Sequence, residues 1–153
     1  MLLSDVFKEV NVVPDLSAKD KNGLIEELAE VVVRSEPSIK MQSLVQVLLE
    51  REKLGSTGIG DVVAIPHGKL AGIDKPVVAF GRSKKGINFE AMDDQPADLF
   101  FLLVAPENTS GMHLQLLAKI ARLLGSSSVR KKLREGKTRW DLFKTITDSD
   151  QEL

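Results

Sequence analysis

The sequence contains no cysteine, which excludes disulfides, thiolate metal sites and cysteine nucleophiles and suits a reducing compartment. It has no excess of one charge: 21 Lys and Arg stand against 22 Asp and Glu, a formal net charge of −1. Neither nucleic acid nor an anionic membrane is therefore an expected partner on bulk electrostatics. The longest apolar stretch, "LFFLLVAP" from Leu99, is far too short to span a bilayer. The start, "MLLSDVFKEV", lacks a basic segment followed by an apolar run, and Asp5 and Glu9 interrupt it early, so no leader and a cytoplasmic location are expected. No repeat, linker or low-complexity tract divides the chain. Histidine is scarce too: only His67 and His113 are present.

What is present suits one globular domain over residues 1–153. The chain is 42% hydrophobic and 28% charged, long enough to bury a core. Helical spacing runs through "DKNGLIEELAEVVVRSE" at Leu24, Ile25, Leu28, Val31 and Val32. It recurs in "SIKMQSLVQVLLEREKLG" at Met41, Leu44, Val45 and Leu48, with Gly55 as a stop. The segments "VNVVP", "DVVAIP" and "KPVVAFGRS" read as short strands bounded by Gly and Pro. "DLFFLLVAP" is continuously apolar, as a central strand covered on both faces should be. The turn-rich "KKGINFEAMDDQPA" between them has room for a further short strand.

The C-terminal third is helical. "SGMHLQLLAKIARLLG" sets Leu114, Leu117, Ala118, Ala121 and Leu124 on one side, with Thr109 or Ser110 as N-cap and Gly125 as stop. Shorter helices follow around "SSVRKKLREG" and "TRWDLFKTITD". The first of these is basic but has no interleaved aromatic residue, and reads as a solvated face. Trp140 is expected in packing, and Glu50, Glu52 and Lys53 in solvent. Helices at both ends of a strand-rich middle predict an α/β fold, a three-layer α/β/α domain with a mixed sheet flanked by helices.

Chemistry concentrates in "GSTGIGDVVAIPHGK", residues 55–69. A nucleotide loop would need Lys-Ser/Thr after its last glycine, whereas Asp61 and Val62 follow Gly60. A third glycine at dinucleotide spacing is also missing, and a strand follows rather than a helix. A metal site is weakly supported, since His67 and His113 have no close cluster of further ligands. No Gly-x-Ser-x-Gly elbow carries a serine nucleophile. The remaining reading makes His67 the nucleophile, because a neutral imidazole can attack phosphorus and form a phosphohistidine. Pro66 restricts the backbone before the ring and Gly68 removes bulk after it. Gly55, Gly58 and Gly60 allow backbone N–H groups close to a tetrahedral anion, and Ser56 and Thr57 add hydroxyl donors. The plainer alternative is a histidine that caps a strand beside a tight turn.

The stretch "REKLGSTGIGDVVAIPHGKL" resembles the active-site signature of enzyme IIA proteins of the phosphoenolpyruvate-dependent phosphotransferase system, in the fructose/mannitol and nitrogen-regulatory class. The similarity continues through "INFEAMDDQPADLFFLLVAPENTSGMHLQLLAKIARLL". One departure is Val62, where such proteins commonly carry glycine. The resemblance implies that His67 accepts a phosphoryl group on Nε2 from the carrier protein HPr or its nitrogen-type paralogue. It implies that Arg51 steadies the phosphoryl charge and that His113 assists, with no cofactor and no metal. It also implies one of two outlets. One is a regulatory, nitrogen-type output to protein targets, which "REKLGSTGIG" favours; the other is transfer to a cysteine of an enzyme IIB in sugar uptake. Ile59, Val62 and Ile65 are the local candidates for an apolar docking collar. A binding module that is never phosphorylated and a metal hydrolase using both histidines are the rivals from other classes.

Overall fold

The computed structural model describes residues 1–152. Its centre is a six-stranded mixed sheet, and the alternation of side chains along two long strands explains why it is covered twice. These are β5 (Val77–Ile87) and β6 (Ala97–Pro106), paired antiparallel. In β6, Phe100, Leu102 and Val104 point to one core, while Leu99, Phe101 and Leu103 point to the other. Period-two alternation with apolar residues in both phases leaves neither face fit for water.

The first face is covered by α1 (Lys21–Ser35) and α2 (Met41–Lys53), through Leu24, Ile25, Leu28, Leu44 and Leu48. The second is covered by α3 (Ser110–Leu124), α4 (Ser127–Glu135) and α5 (Arg139–Gln151), through Leu116, Ile120, Leu133, Leu142 and Ile146. The α/β/α layering read from the sequence is therefore present. Asp20 caps α1 by accepting from Gly23 N–H, and Thr138 and Asp141 form a capping box at α5.

The strands differ from the expected segments in ways that matter for the site. β1 (Phe7–Val13) starts earlier than "VNVVP" and runs parallel to β5 as an edge strand. Its register skips from Phe7 opposite Val78 to Val12 opposite Phe80, and the Asn11 amide bridges the gap by donating to the Val78 carbonyl at 3.2 Å. The other edge is broken into pieces. β2 (Gly58–Gly60) and β3 (Val63–Ala64) form a small hairpin, and β4 (His67–Leu70) begins at the histidine itself. Both β3 and β4 run parallel to β6, at Leu99–Phe100 and at Leu103–Pro106 respectively. "DVVAIP" is thus one edge strand interrupted at Ile65 and Pro66. Proline lacks the N–H a continuous ladder would need, yet its carbonyl still accepts from Leu103 N–H at 3.0 Å.

α3 packs on a stripe rotated by one residue from the expected one. His113, Leu116, Ile120, Leu123 and Leu124 are buried, whereas Leu114 is 64% exposed. Trp140 lies outside the core: it is 53% exposed and stands beside Phe143 of the same helix, at 5.8 Å between ring centroids.

Among the described residues no helix is long and apolar enough to cross a membrane.

Candidate functional site

His67 opens β4, and its neighbours explain its setting. Gly68 lies against α2, where an added Cβ would make ordinary contact with Val47 at 3.4 Å. The His67 ring is half-buried, and its Nδ1 is 2.7 Å from the Ile65 carbonyl oxygen. A carbonyl can only accept, so in the neutral ring Nδ1 carries the proton and Nε2 keeps its lone pair. Burial pushes the His67 pKa below its ordinary value. The Ile65 carbonyl opposes this, the Arg51 charge adds to it, and Glu52 opposes it. The ring is thus held neutral at pH 7, with the lone pair on Nε2.

His113 is the second ring, 5.5 Å from His67 between centroids and inclined by 53°. It occupies the first turn of α3, where its backbone N–H donates to the Thr109 carbonyl at 3.0 Å. Thr109 is the N-cap residue, but its hydroxyl serves Pro106 rather than the helix. Burial, then the nearby His67 and Lys69, push the His113 pKa down to about 4. Its Nδ1 is buried and has no hydrogen-bond partner among the described residues. Lys69, two residues along β4 from His67, donates to the Ser110 hydroxyl at 2.6 Å and ties this strand to the start of α3.

Arg51 lies in the last turn of α2, where its Nη1 donates to the Gly55 carbonyl at 2.9 Å. The contact is that of a cation at a helix C-terminus, and the same guanidinium lies close enough to lower the pKa of His67.

The glycine loop is a hairpin whose hydroxyls face protein. Thr57 is buried, its N–H and hydroxyl both given to the Glu52 carboxylate. Ser56 donates to the Phe89 carbonyl at 2.7 Å and accepts from Gly58 N–H at 3.0 Å. The donors of Ser56, Thr57 and Gly58 that were expected to face an anion are thus bonded within the protein, where they shape the loop. Gly58 is required by close approach, since a Cβ there would sit 2.8 Å from that of Ala91. At Gly60 a Cβ would stand 3.4 Å from an Asp93 carboxylate oxygen, an environment that repels anions. Glu52 departs from expectation too. It is buried rather than solvated, because Lys21 and Thr57 supply the donors that burial of a carboxylate demands.

Asp61 (φ 53°) and Val62 (φ 68°) form the turn between β2 and β3. Two successive positive φ values make a hairpin turn that favours Asn or Asp followed by glycine. A β-branched residue in the left-handed region costs on the order of 1–2 kcal/mol. Val62→Gly should therefore raise the unfolding free energy by about 1 kcal/mol, after the entropic cost of glycine. A higher urea midpoint at unchanged slope is the expected result; a lower one would mean that the valine side chain packs better than its backbone fits.

The expected collar is partly corrected. Ile59 is 50% exposed, but Ile65 is buried. The exposed apolar residues on the elements around the histidines are Leu54 at the end of α2, Ile59 in the hairpin, Met92 and Leu114. Met92 follows Ala91, which packs on Gly58, and Leu114 follows His113. Sequence reasoning missed Leu54 and Met92; a leucine or methionine in a polar turn is the only signal that would have found them. No group of three or more His, Cys, Asp or Glu able to hold a metal occurs among the described residues.

Known proteins are similar to this chain over nearly its whole length. The chain is 39% identical to a nitrogen regulatory protein of Bradyrhizobium diazoefficiens over 150 residues, covering 95% of each. It is 32% identical to the fructose-specific EIIABC component of Bacillus subtilis, covering 99% of this chain but spanning only 24% of that longer protein. The crystal structure of nitrogen regulatory protein IIA-Ntr from Neisseria meningitidis superposes with a TM-score of 0.89 at 34% identity, over 95% of this chain and 99% of that one. Residues 5–149 match the family described as phosphoenolpyruvate-dependent sugar phosphotransferase system, EIIA 2, and the chain belongs to that family.

Proposed function

We propose that this protein is a phosphoryl carrier that accepts phosphate on Nε2 of His67 from HPr or a nitrogen-type HPr, with a regulatory output. The observation that carries the reading is the bond from His67 Nδ1–H to the Ile65 carbonyl, which leaves Nε2 as the free lone pair. In the transfer, that lone pair attacks the phosphorus of the donor's phosphohistidine. One N–P bond forms as the other breaks, and the donor ring keeps the departing electron pair. Such a step needs positioning and charge stabilisation rather than a cofactor.

Arg51 has the chemistry for the second task. A guanidinium holds two phosphate oxygens at once, which an ammonium cannot. His113 supplies a neutral ring beside the acceptor, at a helix N-terminus that favours an anion. Leu54, Ile59, Met92 and Leu114 offer apolar area for a docked protein. The likeness to nitrogen regulatory proteins over nearly the whole of both chains favours the regulatory output, in a cytoplasmic setting. Onward transfer to an enzyme IIB cysteine is the second outlet, favoured by the likeness to a fructose-specific component.

Incubation with phosphoenolpyruvate, enzyme I and HPr should add one acid-labile, alkali-stable phosphate, seen by mass spectrometry under alkaline conditions. No mass change would refute the reading and leave a binding module. Arg51→Ala should slow acceptance by roughly a hundredfold, the loss expected for one donor aimed at transferring charge. Arg51→Lys, which keeps the charge without the fork, should fall between. Stopped-flow transfer from phospho-HPr checks the order; equal rates for all three proteins would return Arg51 to helix capping alone.

A further inference from the structure

Two adjacent charged residues end α2 in opposite ways. Arg51 reaches forward to the Gly55 carbonyl, close enough for its charge to act on His67, and Glu52 turns inward until its side chain is 5% exposed. The Glu52 carboxylate accepts from Lys21 Nζ at 2.9 Å and from Thr57 N–H at 3.2 and 3.3 Å, and takes the Thr57 hydroxyl as well. Lys21 is itself only 13% exposed, lies 4.8 Å above the Phe89 ring, and stands 3.6 Å from Glu90. Phe89 in turn accepts from Ser56 through its carbonyl. One connected set of bonds therefore joins the start of α1, the end of α2, the hairpin loop and the segment after β5.

A buried ion pair is a poor source of stability, because desolvation offsets most of the attraction. What it supplies is geometry, since charge-assisted bonds are short and directional. Here the fixed segment is the loop leaving α2. Thr57 is clamped to Glu52, and Gly55, two residues earlier, is the carbonyl that holds the Arg51 guanidinium. Gly55 itself (φ 150°) has open space where a Cβ would stand, and its N–H donates to the Glu52 carbonyl at 3.2 Å, a bond that holds its nitrogen but leaves the direction of its carbonyl to the residues that follow. Its position depends on its neighbours.

We propose that Glu52, Thr57 and Lys21 form a positioning device for the phosphoryl site: the clamp on Thr57 fixes the Gly55 carbonyl, which aims Arg51. The inference rests on His67 as the phosphoryl acceptor. Glu52 acts through Arg51 and does not touch the transferring group. Its negative charge also counters part of the Arg51 effect on His67, so the clamp sets both the aim and the local charge.

The test uses Thr57→Val, which keeps the backbone donor and loses only the hydroxyl, with Thr57→Ser as the rescue. Thr57→Val should slow phosphoryl transfer from phospho-HPr about tenfold, with donor affinity unchanged, as expected for a misaligned group. Thr57→Ser should transfer at the wild-type rate. In an Arg51→Ala background Thr57→Val should cause no further slowing, since the clamp acts through that side chain. An equal slowing in both backgrounds, or a wild-type rate for folded Thr57→Val, would overturn the proposal. Nitrogen-15 relaxation of Arg51 Nε provides a readout that needs no phosphate. Its order parameter should fall in Thr57→Val and recover in Thr57→Ser, and an unchanged value would overturn the proposal even if His67 proved not to be the acceptor.

Discussion

His67→Ala should abolish phosphate acceptance and leave the fold intact. The only other histidine, His113, is 5% exposed. Its Nδ1 is enclosed, and the chain contains no cysteine to substitute as a nucleophile. The fold should survive because His67 is half-buried on the broken edge of the sheet, outside both hydrophobic cores. Its removal strands one carbonyl, that of Ile65, at a cost of about 1 kcal/mol. Alkaline mass spectrometry after incubation with phosphoenolpyruvate, enzyme I and HPr checks the first part, and a thermal melt checks the second. A variant that still gained one phosphate would move the acceptor role to His113.

The layers were legible because the long elements repeat their signal. β6 carries apolar residues in both phases, and α1 and α2 each carry one stripe. His67 stands out as a candidate as well, since glycines, a proline and a rare histidine coincide. Its strand does not: β3 and β4 are two and four residues long, too short to express a period. The stripe of α3 illustrates a different failure. His113 is polar by composition, so the spacing points to Leu114 and the helix is read one residue out of phase. Only the packing of Leu116 and Ile120 under β6 shows that the histidine belongs to the buried face. The burial of Glu52 depends on Lys21, 31 positions away, and on a loop that folds back over α2. Local pattern cannot carry such a contact.

That buried histidine has a cost that depends on pH. The His113 pKa is near 4 in the fold, against 6.5 for an ordinary histidine. The unfolded chain therefore binds the proton first as pH falls. Stability associated with the neutral ring is fully present above about pH 6.5 and is lost progressively toward pH 4. His67 is shifted in the same direction and steepens the loss. Asp141, whose carboxyl is held below its usual value by the Lys137 and Thr138 N–H groups, acts in a lower window, below about pH 4. Urea unfolding of His113→Gln between pH 7.5 and 4.5 should lose most of the slope that the wild type shows. Retention of that slope would place the titration elsewhere. Transfer kinetics of the same variant then separate two roles. If His113 assists the phosphoryl group, His113→Gln still accepts phosphate on His67, only more slowly, and passes it on poorly, because a donor aimed at the moving charge has been displaced. If the ring only fills space under α3, rates stay unchanged while stability moves. A buried Nδ1 without a partner among the described residues favours the first outcome, since packing alone would be served better by an apolar side chain.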